Sequence, residues 1–135
     1  MTGTSRHAVG RIEMKSWDER PFAETEGAPK LARANGSDLY HGDIEGEATF
    51  EYLMMYHDDG SATYVGLERV VGQLGDRQGS FVLQVSGLFE GGAVKATWFV
   101  VNGSGTGDLR GLRGTGELLW HDGQHSSVTL DYDVD

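Results

Sequence analysis

The chain has 135 residues, a net charge of −10, 21 glycines, two prolines and no cysteine. That length supports one domain with its own core, and the absence of cysteine excludes disulfides, thiolate metal sites and a cysteine nucleophile. The carboxylates are scattered rather than blocked, so the acidity reads as solubility and argues against nucleic acid or an anionic membrane as a partner.

No apolar run approaches the ~20 residues that a membrane-spanning helix needs. Met1 to Gly10 lacks an apolar segment, so residues 1–9 read as a loose leader rather than a secretory signal. Together with the missing cysteines this makes the cytoplasm the expected location. Glycine occurs at about twice its usual share of roughly 7%. Between the glycines lie short alternating runs, without a clean helical period. The pattern predicts an all-β fold over residues 10–135, a single antiparallel β-barrel of about eight strands.

In chain order, the first strand is expected from Gly10 to Asp18, with Ile12, Met14 and Ser16 on one face and Glu13, Lys15 and Trp17 on the other. Glu19 to Pro29 holds both prolines and reads as a loop across one barrel end. A second strand is expected from Lys30 to His41 and a third from Glu47 to His57, followed by a turn at Asp58-Asp59-Gly60. The fourth is placed from Ser61 to Gln73, the fifth from Gly79 to Phe89 and the sixth from Ala93 to Val101. A glycine-rich connection, Asn102 to Gly111, leads to the last two strands, Leu112 to Trp120 and Gln124 to Val134.

Alternation divides the central strands into two faces. One face carries Phe50, Tyr52, Met54 and Tyr56; Tyr64, Gly66, Glu68 and Val70; Val82, Gln84 and Ser86; Ala96, Trp98 and Val100. Large aromatics, small residues and few polar groups make this the expected inner face, since ligand cavities have an apolar lining with few polar anchors. The opposite face would then leave Leu53, Leu67, Phe81, Leu83 and Phe99 outside, a patch that a homodimer or homotrimer would cover. Turn apices at Asp59, Asp76 and Gly91 set Phe50 opposite Glu68, Tyr52 opposite Gly66, Glu68 opposite Gln84, and Gln84 opposite Trp98.

Glu68 is the leading candidate for chemistry. A carboxyl among apolar neighbours has its pKa raised and can act as a general acid or base near neutrality. Gln84 would orient it or bind a substrate oxygen. Tyr52, Met54, Tyr56, Tyr64, Trp98 and Tyr132 would line the ligand site. A structural Glu68 and aromatics that simply fill a core remain the alternative. His121 and His125 bracket a turn but lack a preorganised second shell, so no metal is expected. Gly103-Ser104-Gly105-Thr106-Gly107 lacks the strand–loop–helix setting of a phosphate loop.

Several stretches carry a family likeness: Lys15-Ser16-Trp17-Asp18-Glu19, Gly42-Asp43-Ile44-Glu45-Gly46, Gly66-Leu67-Glu68-Arg69-Val70, Gly79-Ser80-Phe81-Val82-Leu83-Gln84, the Gly103–Gly107 loop, Gly111-Leu112-Arg113-Gly114 and Leu130-Asp131-Tyr132-Asp133. The chain resembles a bacterial family of uncharacterised proteins with an allene-oxide-cyclase-like β-barrel. Asn102 stands where that pattern has a proline. The resemblance implies a barrel, and allene oxide cyclases isomerise a reactive apolar epoxide inside such a barrel, mainly by shaping it. Three functions follow as expectations. The barrel binds a small apolar molecule as a cofactor-free cyclase or isomerase, or it carries such a molecule unchanged, or it is an interaction protein with a filled interior.

Overall fold

Eight strands pair in simple chain order, each antiparallel to the next, and the last returns to the first. The computed structural model describes residues 5–121 and 126–134. Its strands are β1 (Arg6–Ala23), β2 (Leu31–Gly42), β3 (Ile44–Tyr56), β4 (Ala62–Leu74), β5 (Arg77–Glu90), β6 (Ala93–Val100), β7 (Arg113–His121) and β8 (Ser126–Asp133). Pairing of Arg6–Ile12 with Ser126–Tyr132 closes the barrel. Closure removes the edges that an open sheet of this length would expose.

The fourth hairpin, β4–β5, corrects the expected faces. A one-residue apex at Asp76 pairs like parities, but the turn has two residues, Gly75-Asp76, and pairs Leu74 with Arg77. Gly75 takes φ +62, the conformation the first position of such a turn favours. The register therefore sets Glu68 opposite Leu83, and Leu67 opposite Gln84. Phe81, Leu83 and Val85 point inward and are buried; Gln84 and Ser86 point outward. The next turn, Gly91-Gly92, is also two residues long, with both φ values positive. It pairs Glu90 with Ala93 and places Gln84 opposite Phe99, not Trp98. The two displacements cancel, so Ala96, Trp98 and Val100 face inward as expected. The five-residue connection after β3 gives the predicted register, Phe50 to Glu68 and Tyr52 to Gly66.

β1 is longer than its sequence signal. It starts at Arg6 and runs through Pro21 to Ala23, where a loop was expected from Glu19. Among the described residues β1 beyond Ile12 pairs with β2 alone, and Pro21 falls at a second register shift, between Pro21 and Ala23, where a proline is tolerated. A register shift between Met14 and Ser16 reverses the faces. Ile12 points inward before it, and Trp17 packs on Phe50 and Tyr52 after it.

One end of the barrel is sealed. The connection after β6 contains a short 3-10 helix, Gly107–Leu109, whose Leu109 is fully buried beside Leu112. Thr106 N–H donates to Ser80 O at 2.9 Å, and Ser80 N–H donates to Thr106 Oγ1 at 3.0 Å, tying the segment to β5. Ile44, Leu74, Phe81, Leu83 and Leu130 fill the adjoining interior. The other end is hollow, so the barrel is a cup. On its outer wall Leu53, Val65, Leu67 and Phe99 stay exposed, whereas Phe81 and Leu83, expected beside them, are core residues.

Candidate functional site

The cup holds a cavity of about 630 Å³. Its wall is built from inward positions of β3 and β4 (Phe50, Tyr52, Met54, Tyr56, Ala62 and Tyr64), with Trp17 and Glu19 from β1, Asp38 from β2, and Phe89, Leu118 and Trp120 near the mouth. The aromatic wall depends on glycine. Phe50, Tyr52 and Tyr64 each have a glycine as direct cross-strand partner: Gly36, Gly66 and Gly87. A Cβ on Gly66 would lie 2.6 Å from Tyr52 Cδ1, and one on Gly87 would lie 2.4 Å from Tyr64 Cζ. The missing side chains let each ring lie across the neighbouring strand. Phe50 and Tyr52 stack at 4.6 Å, and Tyr52 and Tyr64 meet at 4.9 Å between ring centres.

Glu68 lies behind this wall. It is 1% exposed and is not part of the cavity lining. The Tyr40 hydroxyl donates to its Oε2 at 2.7 Å and the Tyr52 hydroxyl to its Oε1 at 3.0 Å. Burial pushes its pKa up to about 7; the two hydroxyl donors pull the other way and lose. Both phenols are in turn raised well above their ordinary value, by burial first and then by the charge of Glu68. They stay protonated and keep donating.

Asp38 is the buried carboxyl that meets the cavity. It sits on the inner face of β2, opposite Ala48, and is 6% exposed. Its Oδ1 has no hydrogen-bond partner. Burial first, then the charge of Glu68, raise its pKa to about 7. Asp38 and Glu68 thus titrate in one another's field, and near neutrality a proton is readily gained or lost at the cavity wall. At the mouth, Glu19 accepts hydrogen bonds from the Tyr56 hydroxyl and, at 3.2 Å, from Trp17 Nε1. Burial and this bond push the Tyr56 phenol up to about 12.

Of the residues expected to line a site, the structure gathers Tyr52, Met54, Tyr56 and Tyr64 around the cavity. Trp98 points inward but donates to Thr129 O at 3.0 Å, and Tyr132 is buried near the sealed end, its hydroxyl beside Gly75; neither lines the cavity. Gln84 lies outside, so the expected Glu68–Gln84 pairing is not formed. Asp38, Tyr40, Trp17 and Glu19 escaped the sequence reading. Asp38 was within reach of it, because Ala32, Ala34, Asp38 and Tyr40 share one buried face of β2. Trp17 was hidden by the register shift in β1. Among the described residues no group of three metal-ligating side chains stands together. His125 and the turn before it lie outside the described residues.

Comparison with known proteins places this architecture. Residues 8–132 match the family described as "Protein of unknown function (DUF3224)". The chain belongs to the DUF3224 family. A crystal structure of a DUF3224 protein of unknown function from Shewanella oneidensis MR-1 is 29% identical and superposes with a TM-score of 0.80, covering 98% of this chain and 99% of that one. No protein of curated function matches the chain. The DUF3224 barrel is a fold consistent with binding a ligand in its interior.

Proposed function

We propose that the protein binds a small, largely apolar molecule in the cup and moves a proton on it without a cofactor, as an isomerase or cyclase of the allene-oxide-cyclase-like kind. The observation that carries this reading is Asp38: a buried carboxyl with a free oxygen, on the wall of an aromatic cavity, poised near neutrality by burial and by Glu68. Asp38 takes the acid/base role that the sequence suggested for Glu68. Glu68 holds the Tyr52 hydroxyl in place and tunes Asp38 through its charge. The rings fix the ligand in one conformer, and such positioning lowers a unimolecular barrier without further groups.

A carrier that leaves its ligand unchanged is the second reading. It is favoured by the Tyr40–Glu68–Tyr52 clamp, which uses both oxygens of Glu68 in structural hydrogen bonds.

Two measurements separate these readings. The neutral probe N-phenyl-1-naphthylamine should brighten on binding wild-type protein, and Ala62→Trp, which fills the mouth, should abolish the signal. Unchanged brightening in Ala62→Trp would place the probe elsewhere and remove the interior site. Incubation with an organic extract of bacterial cells should then yield a product of unchanged mass and altered retention time, lost in Asp38→Asn. Retained binding with no such product would establish the carrier.

A further inference from the structure

The charges around the cup point to a class of ligand. Among the described residues, none of those lining the cavity is Lys, Arg or His. Asp38 and Glu19 are both present, and Glu68 stands just behind. Trp17, Tyr52, Tyr56, Tyr64, Phe89 and Trp120 present aromatic surface to the same space. An anion entering here meets like charge and finds no basic side chain among the lining residues. A cation finds the negative faces of aromatic rings and the carboxyl of Asp38 in the same wall, the arrangement that recognises organic ammonium groups. The protein already uses this attraction at the rim, where Lys30 Nζ sits 4.5 Å from the centre of the Tyr56 ring.

We propose that the cavity is a site for a hydrophobic organic cation, an ammonium or similarly charged group whose apolar body lies against the rings and whose charge lies against Asp38. The proposal rests on the reading that the interior binds a small molecule and names the chemistry of that molecule. Asp38 supplies the independent sign. A buried carboxylate is costly unless paired, and the Asp38 Oδ1 has no partner within the protein. A cation lying against Asp38 in the cavity wall supplies the opposing charge and holds Asp38 ionised. The remaining rings then exclude water, so the contact is made in a medium of low dielectric, where it is strong.

Calorimetric titration with three matched compounds tests this: (2-naphthylmethyl)trimethylammonium, 2-naphthalenemethanol and 2-naphthoate. The cation should bind at least about tenfold more tightly than the alcohol, and the carboxylate should give no measurable heat. Asp38→Asn, isosteric and uncharged, should bring cation and alcohol to within about threefold of each other. Circular dichroism checks its folding; if it does not fold, Glu19→Gln, at the mouth, should lower the cation's advantage in the same direction. If the alcohol binds as tightly as the cation, or if the cation's advantage survives both substitutions, the cation site is overturned while interior binding stands. If none of the three compounds binds, both fall together.

Discussion

Urea denaturation should show the barrel to be more stable near pH 5 than near pH 8, the reverse of a fold held by ionised carboxylates. Glu68 moves from an ordinary value of 4.5 to about 7 on folding, and Asp38 from 3.8 to about 7. Between those limits the folded chain holds protons that the unfolded chain has released. The unfolded state binds fewer protons, so stability falls as pH rises. The contribution is complete below about pH 4 and is gone above the folded values near 7. For Glu68, fully buried, the shift corresponds to about 3 kcal/mol. The exposed ion pairs Arg20–Asp18 and Arg33–Glu51 add little in the other direction.

Two substitutions divide the effect. Glu68→Gln keeps the shape of the neutral acid and cannot ionise. It should match wild type near pH 5 and exceed it near pH 8 by up to about 3 kcal/mol, with a shallower fall between that comes from Asp38. Glu68→Ala leaves the Tyr40 and Tyr52 hydroxyls buried without their acceptor and opens a void. It should cost about 3 kcal/mol or more near pH 5. Stability that climbs from pH 5 to pH 8 in wild type but not in Glu68→Gln would show that Glu68 is ionised and favourably bound in the fold, and the account of the pair would fail.

The barrel was legible because its signals are local. Glycines mark the turns, and alternation at period two marks the strands, so the number of strands needed no tertiary information. The site was legible only where register was. The connection after β3 is long enough that its centre can be read directly, and Tyr52, Tyr64 and Glu68 fell on the correct face. Register failed at Gly75-Asp76, because a two-residue hairpin exchanges the parities of its strands and a one-residue apex does not. That single step moved Gln84 from the inside to the outside and sent Phe81 and Leu83 the other way. The Gly-Asp and Gly-Gly pairs were themselves the signature of two-residue turns. The shift near Lys15 has no such mark, and nothing in the local pattern announces that Trp17 turns inward. Asp38 is a different case. A lone carboxyl among alanines on one strand face looks like an interruption until the β2–β3 register places it beside the cavity.

Glycine positions in the wall give the second large effect, and two of them should behave differently. At Gly66 a Cβ would stand 2.1 Å from the Glu51 carbonyl oxygen and 2.6 Å from Tyr52 Cδ1. The nearer atom is backbone in the middle of the β3–β4 ladder and cannot yield without parting the strands. Gly66→Ala should therefore cost about 3 kcal/mol or more in urea denaturation. It should also carry the Tyr52 hydroxyl away from Glu68, removing a donor that favours the ionised form and moving the fall in stability to higher pH. At Gly87 the three nearest atoms all belong to the end of the Tyr64 ring, at 2.4 to 2.6 Å. A ring can turn where a backbone cannot, and the open space beside Tyr64 is the cavity it lines. Gly87→Ala should cost only about 1–3 kcal/mol and should weaken binding of N-phenyl-1-naphthylamine, because the displaced ring occupies the ligand's place. A Gly66→Ala protein within about 0.5 kcal/mol of wild type, the range of neutral surface changes, would mean that β3 and β4 are looser at this point than their register requires. Tyr52 would then not be held against Glu68 by the close approach of the two strands.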